Sequence, residues 1–549
     1  MGERSKNFMH YFAFDIKPKS LIVIMLIGIF SGLMSFLFLT LVNHLVGLLI
    51  AGKYTSFSRY YGSLFLIIIV FLIFSRKVLS SLMIKLSQQI FWNVRREIIH
   101  IVLGSDYDVM KQEKSRIQSA LVYDVNTLTQ ASLNLIQFTT SIVVMTACLI
   151  YMSVKSIELF FITLLVALAG VALYLFNTRS NNKKFLITRE LEVKFIHYFN
   201  SILSGFKEIK MDSKKGQDIY LNKIVPIAQQ AYQNNVRAYT VFLNNQMVGQ
   251  VLFYSLVASI LIFFSVNLNI AINTTVGFLF ILLYLLGSIE TIMVLLPSLI
   301  QASVSANRIK KLKEELIRNE GSLSVSNIDS YEFSTLSVCE LFFKYTSDKI
   351  ENTFSIGPIS LEINRQDIIF IFGGNGSGKT TFIHALLGLN DPDSGLFKLN
   401  HKILSSTREE AYRSLFAVVF NDFFLFDELY ANKTFDRVQA KEYLVLFELA
   451  HKVTITENGF SFIDLSTGQR KRLALIAALL EEKPIIVLDE WAADQDPYFR
   501  KKFYEEIIFT LKSKKFTIVA VTHDDAYYRF ADKLYKMEEG QLVDECHLI

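Results

Sequence analysis

Apolar residues run almost unbroken from Leu21 to Ile50, and comparable runs recur near Ser63–Met83, Leu133–Met152, Ile157–Phe176, Met247–Val266 and Val276–Leu296. At 1.5 Å per residue, a helix over the first run reaches roughly 45 Å, more than the roughly 30 Å of a bilayer's hydrocarbon core. The pattern predicts six membrane spans. The first is also far too long for a cleaved secretory signal. Residues 84–132 and 177–246 separate the spans with more polar sequence, yet they hold a single proline, Pro226, and keep a helical apolar rhythm. They read as membrane helices that continue beyond the lipid and turn back near Asp106–Lys114 and Ser204–Gly216. Such tips are either solvated hairpins or docking points for a cytoplasmic domain.

Beyond Pro297 the pattern changes. A charged stretch, NRIKKLKEELIRNEG at 307–321, gives way to short continuous apolar runs: DIIFIF at 367–372, PIIVLDE at 484–490 and FTIVAVTH at 516–523. Runs of this length without alternation suit strands buried on both faces of a parallel sheet. The expected architecture is a polytopic α-helical membrane domain over residues 1–310, a linker over 311–330 and an α/β P-loop NTPase domain over 331–549.

Composition agrees with this division. The chain is 52% hydrophobic with a mean hydropathy of +0.35, which excludes an ordinary soluble protein. A net charge of +5 over 549 residues is too small to suggest a nucleic-acid partner. The placement of charge says more. Arg4, Lys6, Lys17 and Lys19 precede the first span, and Lys85, Arg95, Arg96, Lys111, Lys114 and Arg116 lie in 84–132. Residues 177–246 carry eleven more, whereas the alternate loops hold only Lys53, Arg59 and Lys155. The positive-inside rule then places both termini and both long segments in the cytoplasm. Cys148, Cys339 and Cys546 are scattered without metal spacing and read as reduced thiols.

The α/β part carries chemistry. FGGNGSGKTT at 372–381 follows one apolar strand and opens a helix, the context a phosphate-binding loop requires. Gly373, Asn375, Gly376, Ser377 and Gly378 would curl main-chain N–H groups around phosphates. Lys379 would reach the terminal phosphates, Thr380 would ligate Mg²⁺, and Thr381 continues the cradle. PIIVLDE ends in Asp489, expected to hold Mg²⁺ through water, and Glu490, expected to take a proton from or orient an attacking water. His523, at the end of a third strand, is placed to meet the γ-phosphate. A second anion-binding signal, LSTGQRKRL at 465–473, opens a basic helix about ninety residues further on.

These elements in this order, behind six spans, resemble an ABC exporter half-transporter. By that resemblance Tyr345 stacks on adenine. Ser466, Thr467, Gly468 and Gln469 touch the ATP of a partner subunit, as does the loop acid Asp496. The resemblance thus implies ATP and Mg²⁺ as ligands and a head-to-tail homodimer. Asn421 stands where the family has a glutamine that reaches Mg²⁺, and its amide is one methylene shorter. Thr467 replaces a glycine, and because a β-branched residue avoids φ > 0, ordinary backbone geometry is expected there. LSTGQRKRLALI with LDEWAADQDPYFRKKFYEEI is similar to the cyclic-peptide exporter group. That similarity implies peptide-like cargo, such as a siderophore precursor, lipopeptide or peptide antibiotic, and a bacterial cytoplasmic membrane with its lipid. A lipid or multidrug exporter on the same frame, or a non-transporting ATPase or receptor, are the alternatives. Polar groups in membrane helices are costly unless they face a cavity or a partner. Glu290, Gln250 and Gln137 are therefore the candidates for cargo contact, with a structural ion pair as the alternative for Glu290.

Overall fold

The computed structural model describes residues 18–50, 58–178, 181–268, 270–317, 332–344, 354–404, 410–430 and 435–548. Tyr345, Arg4, Lys6, Lys17, Lys53 and the stretch 318–331 lie outside them. The chain divides into two compact units, one of Met1–Ser105 with Val109–Asn319, the other of Glu320–Ile549 with Asp106–Asp108.

The first unit is helical. Among the described residues, five helical segments are long and apolar enough to cross a membrane: Ile22–Leu49, Tyr60–Gly104, Tyr107–Lys155, Ser213–Asn267 and Thr274–Ile317. The fourth span expected from sequence falls on the Ile157–Thr178 helix, whose described apolar stretch, Ile157–Leu173, is shorter than the others. The Ser58–Gly104 helix has 47 residues. At 1.5 Å each it measures roughly 70 Å, more than twice a hydrocarbon core, so it extends well past the lipid.

The Ile272–Ile317 helix also runs long. It passes through Pro297 without ending and continues to Ile317, into the stretch read as linker. One face of its last part explains why. Ala302, Ala306, Ile309, Leu312 and Leu316 recur at helical spacing and pack with Val94, Ile98, Ile117, Val125 and Leu128. Charges flank that seam, with Arg116 Nη1 2.8 Å from Glu315 Oε2 and Lys313 paired with Glu97. The charged run thus belongs to a packed helix rather than a solvated one.

The second unit holds two sheets. Six strands lie in the order Gln541–Asp544, Lys533–Glu538, Ile368–Phe372, Thr517–Val521, Ile485–Asp489, Phe416–Val419, all pairings parallel except the first. An antiparallel four-stranded sheet orders Ser355–Asn364, Thr335–Lys344, Ser394–Leu399 and Lys402–Ile403. The apolar strands serve both faces of the parallel sheet. Ile368, Phe370, Ile486, Leu488, Ile518 and Ala520 join one core cluster, while their neighbours Ile369, Ile371, Ile485, Val487, Val519 and Val521 join another. Alternation by two sends successive side chains into opposite layers, which is why polar residues in these strands are confined to their ends, at Thr517 and Asp489.

Candidate active site

Four neighbouring parallel strands end at one edge of the second unit. Ile371 pairs with Val521, and Val521 with Asp489. Whatever follows each strand must therefore gather there: the glycine loop, His523, Glu490 and Asn421.

The loop closes on glycine geometry. Gly378 has φ +107° and caps the Lys379–Leu386 helix, and a Cβ there would come within 2.8 Å of Ile356. No other residue makes this turn without strain. Gly374, Asn375, Gly376 and Thr380 are exposed, while Gly373, Ser377 and Thr381 are half-buried. Lys379 is buried and donates to the carbonyls of Gly373 and Gly374, each at 2.9 Å. Burial pulls its pKa below the ordinary lysine value, against the opposing charges of Glu490 and Asp489.

Asp489 is buried, and its Oδ1 has no hydrogen-bond partner. Desolvation first, and then the charge of Glu490, raise its pKa to about 6. A buried carboxylate oxygen left unpaired is costly, and a cation with bound waters would satisfy it. Among the described residues no group of three or more His, Cys, Asp or Glu could hold a metal alone. A divalent ion here would draw the rest of its shell from Thr380, water and nucleotide oxygens.

Glu490 sits in the left-handed region, at φ 49° and ψ 36°. A non-glycine residue holds that conformation only when its surroundings over-determine it. They do. Its N–H donates to Val521 O at 3.1 Å, and Lys471 Nζ donates to its carbonyl at 3.0 Å. Asn421 Nδ2 donates to Oε2 at 3.2 Å, and His523 Nε2 lies 3.2 Å from Oε1. Asn421 and His523 thus grip opposite oxygens of one carboxylate.

The LSTGQ stretch lies in the same unit. Ser466 precedes the Thr467–Leu479 helix with φ −60° and ψ 156°, and Thr467 begins that helix without positive φ. Gly468 is required by a close approach, because a Cβ there would come within 2.7 Å of Asp494 O. Gln469 Oε1 accepts from Lys452 Nζ at 3.2 Å. Asp496 is engaged within its own chain. Its Oδ1 accepts from Phe499 N at 2.9 Å, capping the Pro497–Lys502 helix, and its Oδ2 lies 2.6 Å from Arg472 Nη2. These contacts hold its carboxyl below the usual carboxylate range. Among the described residues no hydrogen bond links Ser466–Gln469 to Gly373–Thr381.

In the first unit, Gln250 Nε2 donates to Glu290 Oε1 at 2.5 Å. Two of the three membrane candidates therefore meet, and the partner of Glu290 is an amide. Gln137 is exposed on the Val125–Lys155 helix.

Sequence reading passed over the roles of Lys471 and Arg472, which tie the signature helix to Asp494 and Asp496 of the loop after Glu490, and of Arg500, which donates to the Ala493 and Gln495 carbonyls of that loop. A signal was present. Arg470–Arg472 fall in the first turns of a helix, where the macrodipole disfavours cations, so they need counter-ions. Asp494 and Asp496 supply them.

The ABC transporter family matches residues 356–493. The ATP-binding protein SyrD of Pseudomonas syringae pv. syringae is 30% identical over 406 residues, covering 72% of each chain. The ATP-dependent lipid A-core flippase of Neisseria meningitidis serogroup B is 26% identical over 240 residues, which is 42% of this chain and 36% of that one. Among solved structures, a bacterial Atm1-family ABC exporter with ATP bound superposes with a TM-score of 0.78 at 13% identity, covering 95% of this chain and 93% of its own.

Proposed function

The chain belongs to the ABC transporter family as an exporter half-transporter, a multi-pass membrane ATPase whose hydrolysis is coupled to transport, and on that premise we propose that it exports a cyclic or modified peptide across the bacterial cytoplasmic membrane. The observation that carries the peptide reading is the residue set Trp491–Pro497 together with LSTGQRKRLALI, similar to cyclic-peptide exporters. The 406-residue match to SyrD is longer than the ATPase part and so extends the likeness into the membrane helices. The Gln250–Glu290 pair, with Gln137, is the polar feature we assign to cargo contact.

For hydrolysis we assign Glu490 as the group that orients or deprotonates water, with His523 toward the γ-phosphate. Lys379 and the 373–381 loop hold the phosphates, and Tyr345 holds the adenine. Asp489 and Thr380 would hold Mg²⁺, which when bound offsets phosphate charge; the unpartnered Asp489 oxygen supports that assignment. Asn421 acts here through Glu490, to which it donates. Ser466, Thr467, Gly468 and Gln469 serve the partner's ATP in a head-to-tail homodimer, where Asp496 lies in the loop that crosses between subunits. Both termini lie in the cytoplasm, with the membrane domain running to the end of the Ile272–Ile317 helix and residues 331–549 forming the ATPase.

A lipid cargo is the second reading, favoured by the match to the flippase. The test uses full-length protein in proteoliposomes, with ATPase rate and ATP-dependent uptake measured together. Cyclic lipopeptides are expected to stimulate hydrolysis and to be taken up saturably. Stimulation and movement of glycolipid alone, with none of peptide, would replace the first reading with the second.

A further inference from the structure

Lys471 is 1% exposed, yet it carries a charge into the core of the ATPase unit. Such a group survives only with its donors fully used. Its Nζ has three partners: Asp494 Oδ2 at 2.6 Å, the carbonyl of Glu490 at 3.0 Å and Asn421 Oδ1 at 3.3 Å. The indole Nε1 of buried Trp491 donates to the Lys471 carbonyl at 2.8 Å, fixing the backbone from which the side chain springs.

These contacts have a directional consequence. A lysine ammonium can only donate, so it must meet the oxygen of the Asn421 amide. That leaves Nδ2 turned to Glu490 Oε2, where it donates at 3.2 Å. The same ammonium holds the carbonyl of Glu490 in its left-handed conformation. Asp494, 43% exposed at its side chain, supplies the counter-charge from the solvent side.

We propose that Lys471 is a positioning residue for ATP hydrolysis. It sets the orientation of the Asn421 amide and the backbone of Glu490, and through both it aims the Glu490 carboxylate. The proposal rests on the reading of Glu490 as the group that acts on water. It also gives the short amide at position 421 a role, since Lys471 donates to its oxygen while its Nδ2 donates to the carboxylate.

The test compares Lys471→Met, Asp494→Leu, the double variant and Glu490→Gln in full-length protein in nanodiscs. Lys471→Met keeps the volume of the side chain and leaves Asp494 free to be solvated. It is expected to lower kcat about 100-fold, the scale of a 1 Å misplacement, while KM for ATP stays within about threefold, because the phosphate loop is untouched. The double variant removes both charges together and keeps the thermal midpoint of the wild type, yet its kcat stays low. A purely structural ion pair behaves differently, since removing both partners then restores kcat along with stability. Recovery of wild-type kcat in the double variant, or wild-type kcat in Lys471→Met, overturns the proposal. If Glu490→Gln itself turns over normally, the fault lies with the underlying reading of Glu490, and the proposal goes with it. A dead Glu490→Gln beside an active Lys471→Met rejects Lys471 alone.

Discussion

In the proposed mechanism Glu490 acts on water, and its carboxylate is held between an amide and an imidazole at 3.2 Å each. Glu490→Gln keeps the shape and removes the base, so hydrolysis is expected to fall about 100-fold or more while ATP still binds. Nucleotide trapping beside phosphate release separates the two effects, and turnover near wild type would reject the assignment. Asp496 yields a pH signature. Its carboxyl is held low by Phe499 N–H and Arg472, so its contribution is present above the unfolded pKa of 3.8 and is lost as pH falls through the lower folded value. Asp496→Ala removes the cap as well, at a cost of about 1 kcal/mol. The gap in melting temperature between wild type and variant should hold from pH 8 to 5 and close only below 4. A gap already closed at pH 6 would mean that the carboxylate is not bound this way. Residues such as Lys379, Asp489 and Glu490 are legible in sequence because strand, turn and helix fix their positions locally. Lys471 is not, since its burial depends on the loop after Glu490 folding back over the signature helix.

Among elements, the parallel strands were readable from their apolar runs, because burial on both faces confines polar residues to the strand ends. The end of the last membrane helix was harder to place. NRIKKLKEELI carries charge at most positions and follows a proline, yet Ile309, Leu312 and Leu316 form a seam three to four residues apart. The partners of that seam lie on 94–128, far away in sequence, so only tertiary packing shows it to be a core face. Adjacent substitutions test this. Leu312, 2% exposed, should cost about 2–5 kcal/mol on change to alanine. Lys311, whose side chain is 70% exposed, should cost less than about 0.5 kcal/mol. Melting of the purified full-length protein decides the matter. Equal and small losses at both positions would return this stretch to the status of a linker.

At the scale of the whole molecule, one chain holds two segments proposed to bind phosphate, the 373–381 loop and the 465–469 signature, with no hydrogen bond between them among the described residues. In the proposed head-to-tail homodimer, each ATP would take one segment from either chain. Lys379→Ala damages the loop, and Ser466→Arg places a bulky cation at the start of the signature helix, where the dipole already repels it. In a homodimer each change alone spoils both composite sites, so each variant should be nearly inactive. Co-expressed with different tags, the mixed dimer carries both defects in one site and neither in the other. Purified mixed dimers should then trap nucleotide at about half the wild-type stoichiometry and recover part of the hydrolysis. Sites built within one chain predict the opposite, because every chain in the mixture remains defective and mixing restores nothing. Recovery of trapping therefore separates the two arrangements without any knowledge of the cargo.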